Sequence, residues 1–354
     1  MLRRVIKSLD GGTMNYFLPM ILSLVLSFGV SARLIPQIDL DQYSDGLDFD
    51  SLAQLGLNDT YRLGDEWGKK PITQADLDSN KFFKRMAMAT AKVGGATGFY
   101  IGQHANKFVM ATNHHVCETA SDCMGSLVSF SILKLKFEVV EFYGSWPEID
   151  LALFAIDVKD AQSAEMLKDV AANFTFGDIK HAQPILTIGY GIGDNPGQVI
   201  VANQDSDCVV FSKDKEYKLM ADPDELNPAP YKAWSFATGC DVSHGDSGSA
   251  MMDRTNGNII GIIWTGKIPK NAKVQSSAYL DELLERPNQD VWTELSYAVP
   301  AAKMKEVLSK KITDGEIAAP SAKVVKAVLG LENTSKLNTR LTTNGSGFQS
   351  SRSN

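Results

Sequence analysis

Between residues 89 and 300 the apolar positions come in short runs of strand length, separated by Gly, Asn, Asp and Pro. The runs fall at 98–101, 108–111, 135–142, 151–156, 184–188, 199–202, 208–211, 233–237, 250–252, 259–264 and 296–299. So many short strands with little helix between them predict an all-β double barrel. One helical stretch, 161–170, interrupts the pattern where the chain would cross from one barrel to the other. Before the runs, residues 75–88 predict a helix. After Pro300, the spacing of Met304, Val307 and Leu308 predicts a helix over 301–310, with a second over 322–331. Beyond Glu332 the apolar residues thin out and Ser, Thr, Asn and Gly take over, the composition of a disordered tail.

The N-terminus carries a different pattern. Residues 14–32, MNYFLPMILSLVLSFGVSA, hold an apolar run that ends in Val-Ser-Ala, preceded by Arg3, Arg4 and Lys7. That arrangement fits a secretory signal peptide cleaved after Ala32. Ser23, Ser27, Gly29 and Ser31 dilute the run too far for a membrane span, so no stable anchor is expected. The predicted division is a signal peptide over 1–32, an N-terminal extension or propeptide over 33–92, the barrels over 93–300, a helical segment over 301–333 and a disordered tail over 334–354. The extension is acidic and rich in turn residues up to about residue 78. It reads either as a propeptide, with Lys84-Arg85 a processing site, or as a docked structural arm. Export places the protein outside the cytoplasm, secreted or periplasmic. With 35 basic and 42 acidic residues, a net charge of −7 and no basic block, nucleic acid is excluded as a partner.

The stretch 245–250, GDSGSA, holds the candidate nucleophile, Ser247. A serine that attacks a carbonyl needs backbone N–H groups beside it for the oxyanion, and small flanking residues let the backbone approach. No histidine follows Ser247 in the chain, so base and acid must come from upstream. Upstream lie ATNHHV at 111–116 and IDLALF at 149–154, which gives the order His, Asp, Ser.

These blocks, in this order, are similar to the three catalytic blocks of the chymotrypsin-fold serine peptidases, closest to the bacterial trypsin-like and glutamyl-endopeptidase branch. GGATGFYIG (94–102) resembles the opening strand of that family, GIIWTG (261–266) its substrate-pairing strand and ELSYAVP (294–300) its closing strand. The resemblance implies a double six-stranded antiparallel β-barrel with a C-terminal helix, and an exported, monomeric serine endopeptidase acting on protein or peptide substrates without metal or organic cofactor. It assigns the base to His115, the orienting acid to Asp150, the nucleophile to Ser247 and the oxyanion hole to the N–H groups of Gly245 and Ser247. Of the two adjacent histidines only His115 sits at the position of the family's block, and neighbours on an extended chain point to opposite faces. The competing classes are a catalytically silent binding homologue and an export-linked structural protein.

The resemblance also bears on specificity and bracing. Asp241 lies six residues before Ser247, where trypsin-like enzymes hold the carboxylate that recognises Arg or Lys. With Trp264, Thr265 and Gly266 it would form the substrate pocket and favour cleavage after basic residues; the other reading is a carboxylate bonded to its own loop in an apolar-walled pocket. The insertion 267–292 would lie over this pocket. Asp246 stands where trypsin-like zymogens pair a carboxylate with a newly liberated α-amino group, which permits activation by N-terminal cleavage. Four cysteines allow three pairings. Cys117–Cys123 and Cys208–Cys240 are favoured, because one would pin the loop after His115 and the other would tie a strand to the segment entering Ser247.

Overall fold

The computed structural model describes residues 57–172, 174–191 and 196–331; the predicted signal peptide, the first part of the extension and the predicted tail lie outside them. The strands are β1 (Lys69–Pro71), β2 (Thr90–Val93), β3 (Ala96–His104), β4 (Lys107–Thr112), β5 (Leu127–Phe130), β6 (Leu135–Trp146), β7 (Leu151–Ile156), β8 (Ile185–Gly191), β9 (Pro196–Asn203), β10 (Lys218–Ala221), β11 (Lys232–Thr238), β12 (Ala250–Asp253), β13 (Ile259–Gly266) and β14 (Ser296–Pro300). The helices are α1 (Gln74–Ser79), α2 (Lys81–Ala89), α3 (Ala120–Cys123), α4 (Ala161–Lys168), α5 (Ser277–Glu285), α6 (Ala301–Thr313) and α7 (Ala319–Val328).

Strands β2 to β7 close an antiparallel barrel in the order β2-β3-β4-β7-β6-β5. Helix α4 follows it at the predicted crossing. The second unit is an eight-stranded antiparallel sheet ordered β1-β9-β8-β12-β13-β14-β11-β10. The architecture is that of a chymotrypsin-type double barrel, but the second half departs from six strands because β1 and β10 extend it at either edge. Strand β1 comes from the N-terminal extension and pairs with β9, Lys69 opposite Asn203 and Pro71 opposite Val201. The predicted strand at 208–211 forms only isolated bridges, Pro184 with Val209 and Val210 with Thr238.

The extension is seated in the molecule from residue 57 onward. Tyr61 and Leu63 are fully buried. The single helix expected over 75–88 is two helices, because the extended backbone of Asn80 (φ −145°, ψ 117°) breaks the run and its side chain caps α2 through Phe82 N and Phe83 N. The buried face of α2, Phe83, Met86 and Ala87, joins the core of the first barrel.

The first core is centred on Phe99, Val109, Phe154 and Val128, and the second holds Ile185, Phe236, Met251 and Ile263. Alternating or fully buried runs such as β7 and β13 explain the pattern: each carries six or more consecutive buried residues, so both faces are covered. Helix α6 places Met304 and Leu308 beside Ile101, Leu153 and Phe174, and its Lys311 pairs with Glu148 at 2.8 Å, two residues before Asp150. Both favoured disulfides are present, Cys117–Cys123 and Cys208–Cys240, and no described cysteine is free.

Candidate active site

His115 enters the site at the end of β4, where the chain leaves the barrel in a short 3-10 turn (His114–Val116). Asp150 stands at the start of β7 in left-handed backbone (φ +33°, ψ 52°). That conformation is uncommon for a residue with a side chain and is maintained here by its surroundings. The Asp150 backbone carbonyl accepts from Asn113 Nδ2 at 2.8 Å, which ties the two loops together. The fully buried Asp150 carboxylate then meets His115 twice: Oδ2 lies 2.9 Å from the imidazole Nδ1, and Oδ1 accepts from the His115 backbone N–H at 3.1 Å. Tyr231, from the second half, donates its hydroxyl to Asp150 Oδ1 at 2.8 Å.

This carboxylate governs the imidazole. Burial opposes protonation of His115, but the charge and hydrogen bond of Asp150, with Asp222 and Glu118 behind it, outweigh burial and hold its pKa above the ordinary histidine value. The neighbouring His114 goes the other way: burial lowers it, against the pull of the Asp150 charge. Its Nδ1 sits 2.6 Å from Ser145 Oγ and its ring lies edge-on to Tyr231, away from the Asp150 carboxylate contact that His115 makes.

Ser247 lies across a cleft of about 240 Å³ that it lines together with His115. The Ser247 loop is built from positive-φ glycines, Gly245 at +97° and Gly248 at +86°, conformations that residues with a Cβ rarely adopt. It is fastened from both halves of the molecule. Thr97 N donates to Ser247 O at 2.9 Å and Thr97 Oγ1 to Gly245 O at 2.7 Å, while Gly248 N reaches Ile263 O at 3.1 Å. With the carbonyls so occupied, the N–H groups of Gly245 and Ser247 donate to no group among the described residues, the condition an oxyanion site requires.

The pocket residues divide. Trp264, Thr265 and Gly266 line the cleft as expected, but Asp241 does not. Its carboxylate is fully buried and accepts from Leu63 N at 2.6 Å and Gly68 N at 2.7 Å, two amides of the N-terminal extension. Burial raises its pKa to about 7 in spite of those two bonds. The expected pocket carboxylate is therefore a structural one, bonded to the extension instead of to its own loop. The carboxylates that do line the cleft are Glu118, Asp222 and Asp224, with no Lys or Arg among the lining residues. Asp222 bonds Thr265 Oγ1 and the Ala229 N–H, and burial raises its pKa; Asp224 pairs with His244 at 3.0 Å.

The insertion also departs from expectation. Only Ile268 of residues 267–292 borders the cleft. Helix α5 instead turns toward the extension, where Ser277 Oγ accepts from Asp65 N at 3.0 Å. Among the described residues no His, Cys, Asp and Glu cluster could hold a metal ion, and no helix is long and apolar enough to cross a membrane.

Residues 96–262 match the family described as the trypsin-like peptidase domain. Among solved structures, the inactive form of an alanine mutant of Rv3671c from M. tuberculosis H37Rv aligns with a TM-score of 0.42 at 17% identity, covering 68% of this chain and 94% of that one. The active form of the Rv3671c protease from M. tuberculosis aligns with a TM-score of 0.42 at 18% identity, covering 68% and 87%. No curated protein sequence matches the chain.

Proposed function

We propose, from the match of residues 96–262 to the trypsin-like peptidase domain, that the protein is an exported serine endopeptidase whose triad is His115, Asp150 and Ser247. The observation that carries this reading is the buried Asp150 carboxylate bonded at 2.9 Å to Nδ1 of His115, which lines the same cleft as Ser247. A proton on Nδ1 held by Asp150 leaves Nε2 as the acceptor. In the proposed reaction Ser247 Oγ forms a bond to the scissile carbonyl carbon as its proton passes to His115 Nε2. The carbonyl electron pair moves onto oxygen, facing the N–H groups of Gly245 and Ser247. Collapse expels the amine, which takes the proton from His115, and leaves an acyl ester on Ser247. Water repeats the sequence through the same base and frees the acid.

Export is supported by two intact disulfides, which persist in oxidising compartments. The substrates are proteins or peptides, and the three carboxylates of the cleft favour a cationic side chain beside the scissile bond. The test is turnover of a peptide substrate. Ser247→Ala, His115→Ala and Asp150→Asn should each lower kcat by about 10⁴-fold or more. His114→Ala should keep kcat within about tenfold, since its ring does not contact the Asp150 carboxylate. An essential His114 with a dispensable His115 would reassign the base.

A further inference from the structure

The serine loop carries one more charged group, Asp246, between Gly245 and Ser247, whose N–H groups donate to no group among the described residues. Its carboxylate is turned away from the cleft into the protein and is only 2% exposed. Oδ2 accepts from Ser243 N at 2.8 Å and Oδ1 from Gly191 N at 3.3 Å. The cation opposite it is Lys69, an equally buried side chain on β1 of the N-terminal extension, 1% exposed and ion-paired to Asp246 Oδ2. An ammonium has three N–H donors. All three of Lys69 are used: one on Asp246, one on Gly191 O at 2.9 Å and one on Ser243 Oγ at 2.9 Å. The ring of Trp67 lies 5.4 Å from the same nitrogen. Space around the pair is closed, since a Cβ on Gly191 would come within 2.3 Å of Asp246 Cγ.

A buried pair with every donor satisfied holds its geometry tightly, and removing one partner leaves a buried charge that must reach water or lose its ionisation. The space around Asp246 is closed, so an outward swing of its side chain has to move the backbone that carries it; the peptide after Asp246 bears the Ser247 N–H, and the Gly245 N–H lies one peptide before the bond that joins Gly245 to Asp246. We infer that Lys69 is the internal cation that sets the serine loop in its oxyanion-binding arrangement, so that strand β1 is part of the working enzyme. Lys69 touches no substrate; it is a positioning residue acting through Asp246. The role rests on the serine-peptidase reading above and adds to it a polarity opposite to activation by trimming. A cut at Lys84-Arg85 followed by loss of the upstream fragment removes the cation and costs activity, and the extension from Leu63 to Pro71 is the docked arm of the two sequence readings.

The experiment uses the full mature chain with Lys69→Met and compares three quantities with wild type: kcat and KM on a peptide substrate, affinity for a peptide aldehyde, and affinity for the matching carboxylic-acid product. The aldehyde adds to Ser247 and places an oxyanion on the Gly245 and Ser247 N–H groups, whereas the product peptide reports the cleft alone. The expected result is a fall in kcat of about 10²-fold or more, the size of losing an oxyanion donor. Aldehyde affinity should fall with it, while KM and product affinity stay within about threefold. Lys69→Arg, which keeps the charge, should restore a large part of kcat. If the Met variant does not fold, Lys69→Gln, which keeps two N–H donors for Gly191 O and Ser243 Oγ, carries the same expectation. A folded, uncharged variant with wild-type kcat and aldehyde affinity overturns the role of Lys69 alone. A wild-type protein that forms no adduct with the aldehyde rejects the serine-peptidase reading together with it.

Discussion

Asp222 connects two properties of the cleft. It is one of the carboxylates that raise the His115 pKa, and it lies in the wall where a substrate side chain would rest. A base must be neutral to accept a proton, so activity should rise as pH climbs through a value above that of an ordinary histidine. Asp222→Asn removes a negative neighbour of the imidazole, which lowers the His115 pKa and moves the acid limb of kcat/KM to lower pH. The same substitution should reduce kcat/KM for Arg or Lys substrates by about tenfold or more relative to an uncharged one. A pH–rate profile on both substrates checks it, and an unmoved limb with intact basic preference would remove Asp222 from both roles. None of this was legible in the sequence. The proposed triad of His115, Asp150 and Ser247 can be picked out because each sits in a local block whose neighbours the proposed chemistry constrains. Asp222 reaches Thr265 across 43 positions, Tyr231 reaches Asp150 across 81, and Lys69 reaches Asp246 across 177. Such partners leave no spacing to read. Asp241 failed for a related reason: its place relative to Ser247 matched a pocket carboxylate, but its fate was decided by two amides more than 170 positions upstream.

At the scale of elements, the serine loop depends on β3 and β13 more than on itself. Gly248, at φ +86°, packs where a Cβ would fall 2.0 Å from Thr97 O and 2.4 Å from Thr112 Oγ1. Gly248→Ala should therefore lower stability by about 3 kcal/mol, from backbone strain together with overpacking. Equilibrium denaturation measures it, and an unchanged midpoint would show that the loop can shift away from β3. Strands with long apolar runs, such as β7 and β13, were readable from their pattern because burial on both faces needs no partner to be specified. The short edge strands β1 and β10 were not: KKP is too polar and KLMA too short, with no β-branched or aromatic residue, to suggest a strand, and they exist because β9 and β11 offer free edges to pair with. Helices α1 and α2 take the place of the single helix expected over 75–88, and the cap formed by the Asn80 side chain divides them.

On the scale of the whole molecule, the two halves meet at the cleft, and each supplies what the other lacks. The first barrel brings His115 and Asp150, the second brings Ser247 and Tyr231, and Thr97 of the first barrel fastens the serine loop of the second. The double-barrel class followed from the count and spacing of short apolar runs. The placing of the extension against the second sheet did not, because its hold is polar and tertiary: Leu63 and Gly68 amides on Asp241, and the Lys69 ammonium on Asp246. The central claim, that this arrangement makes Ser247 a nucleophile, is tested most directly by treating the mature, disulfide-intact protein with a fluorophosphonate and locating the adduct by peptide mass spectrometry. The account predicts stoichiometric labelling on Ser247, abolished by Ser247→Ala and slowed at least about 10³-fold by His115→Ala. Folded wild-type protein that takes no label, or takes it at another residue, would contradict it.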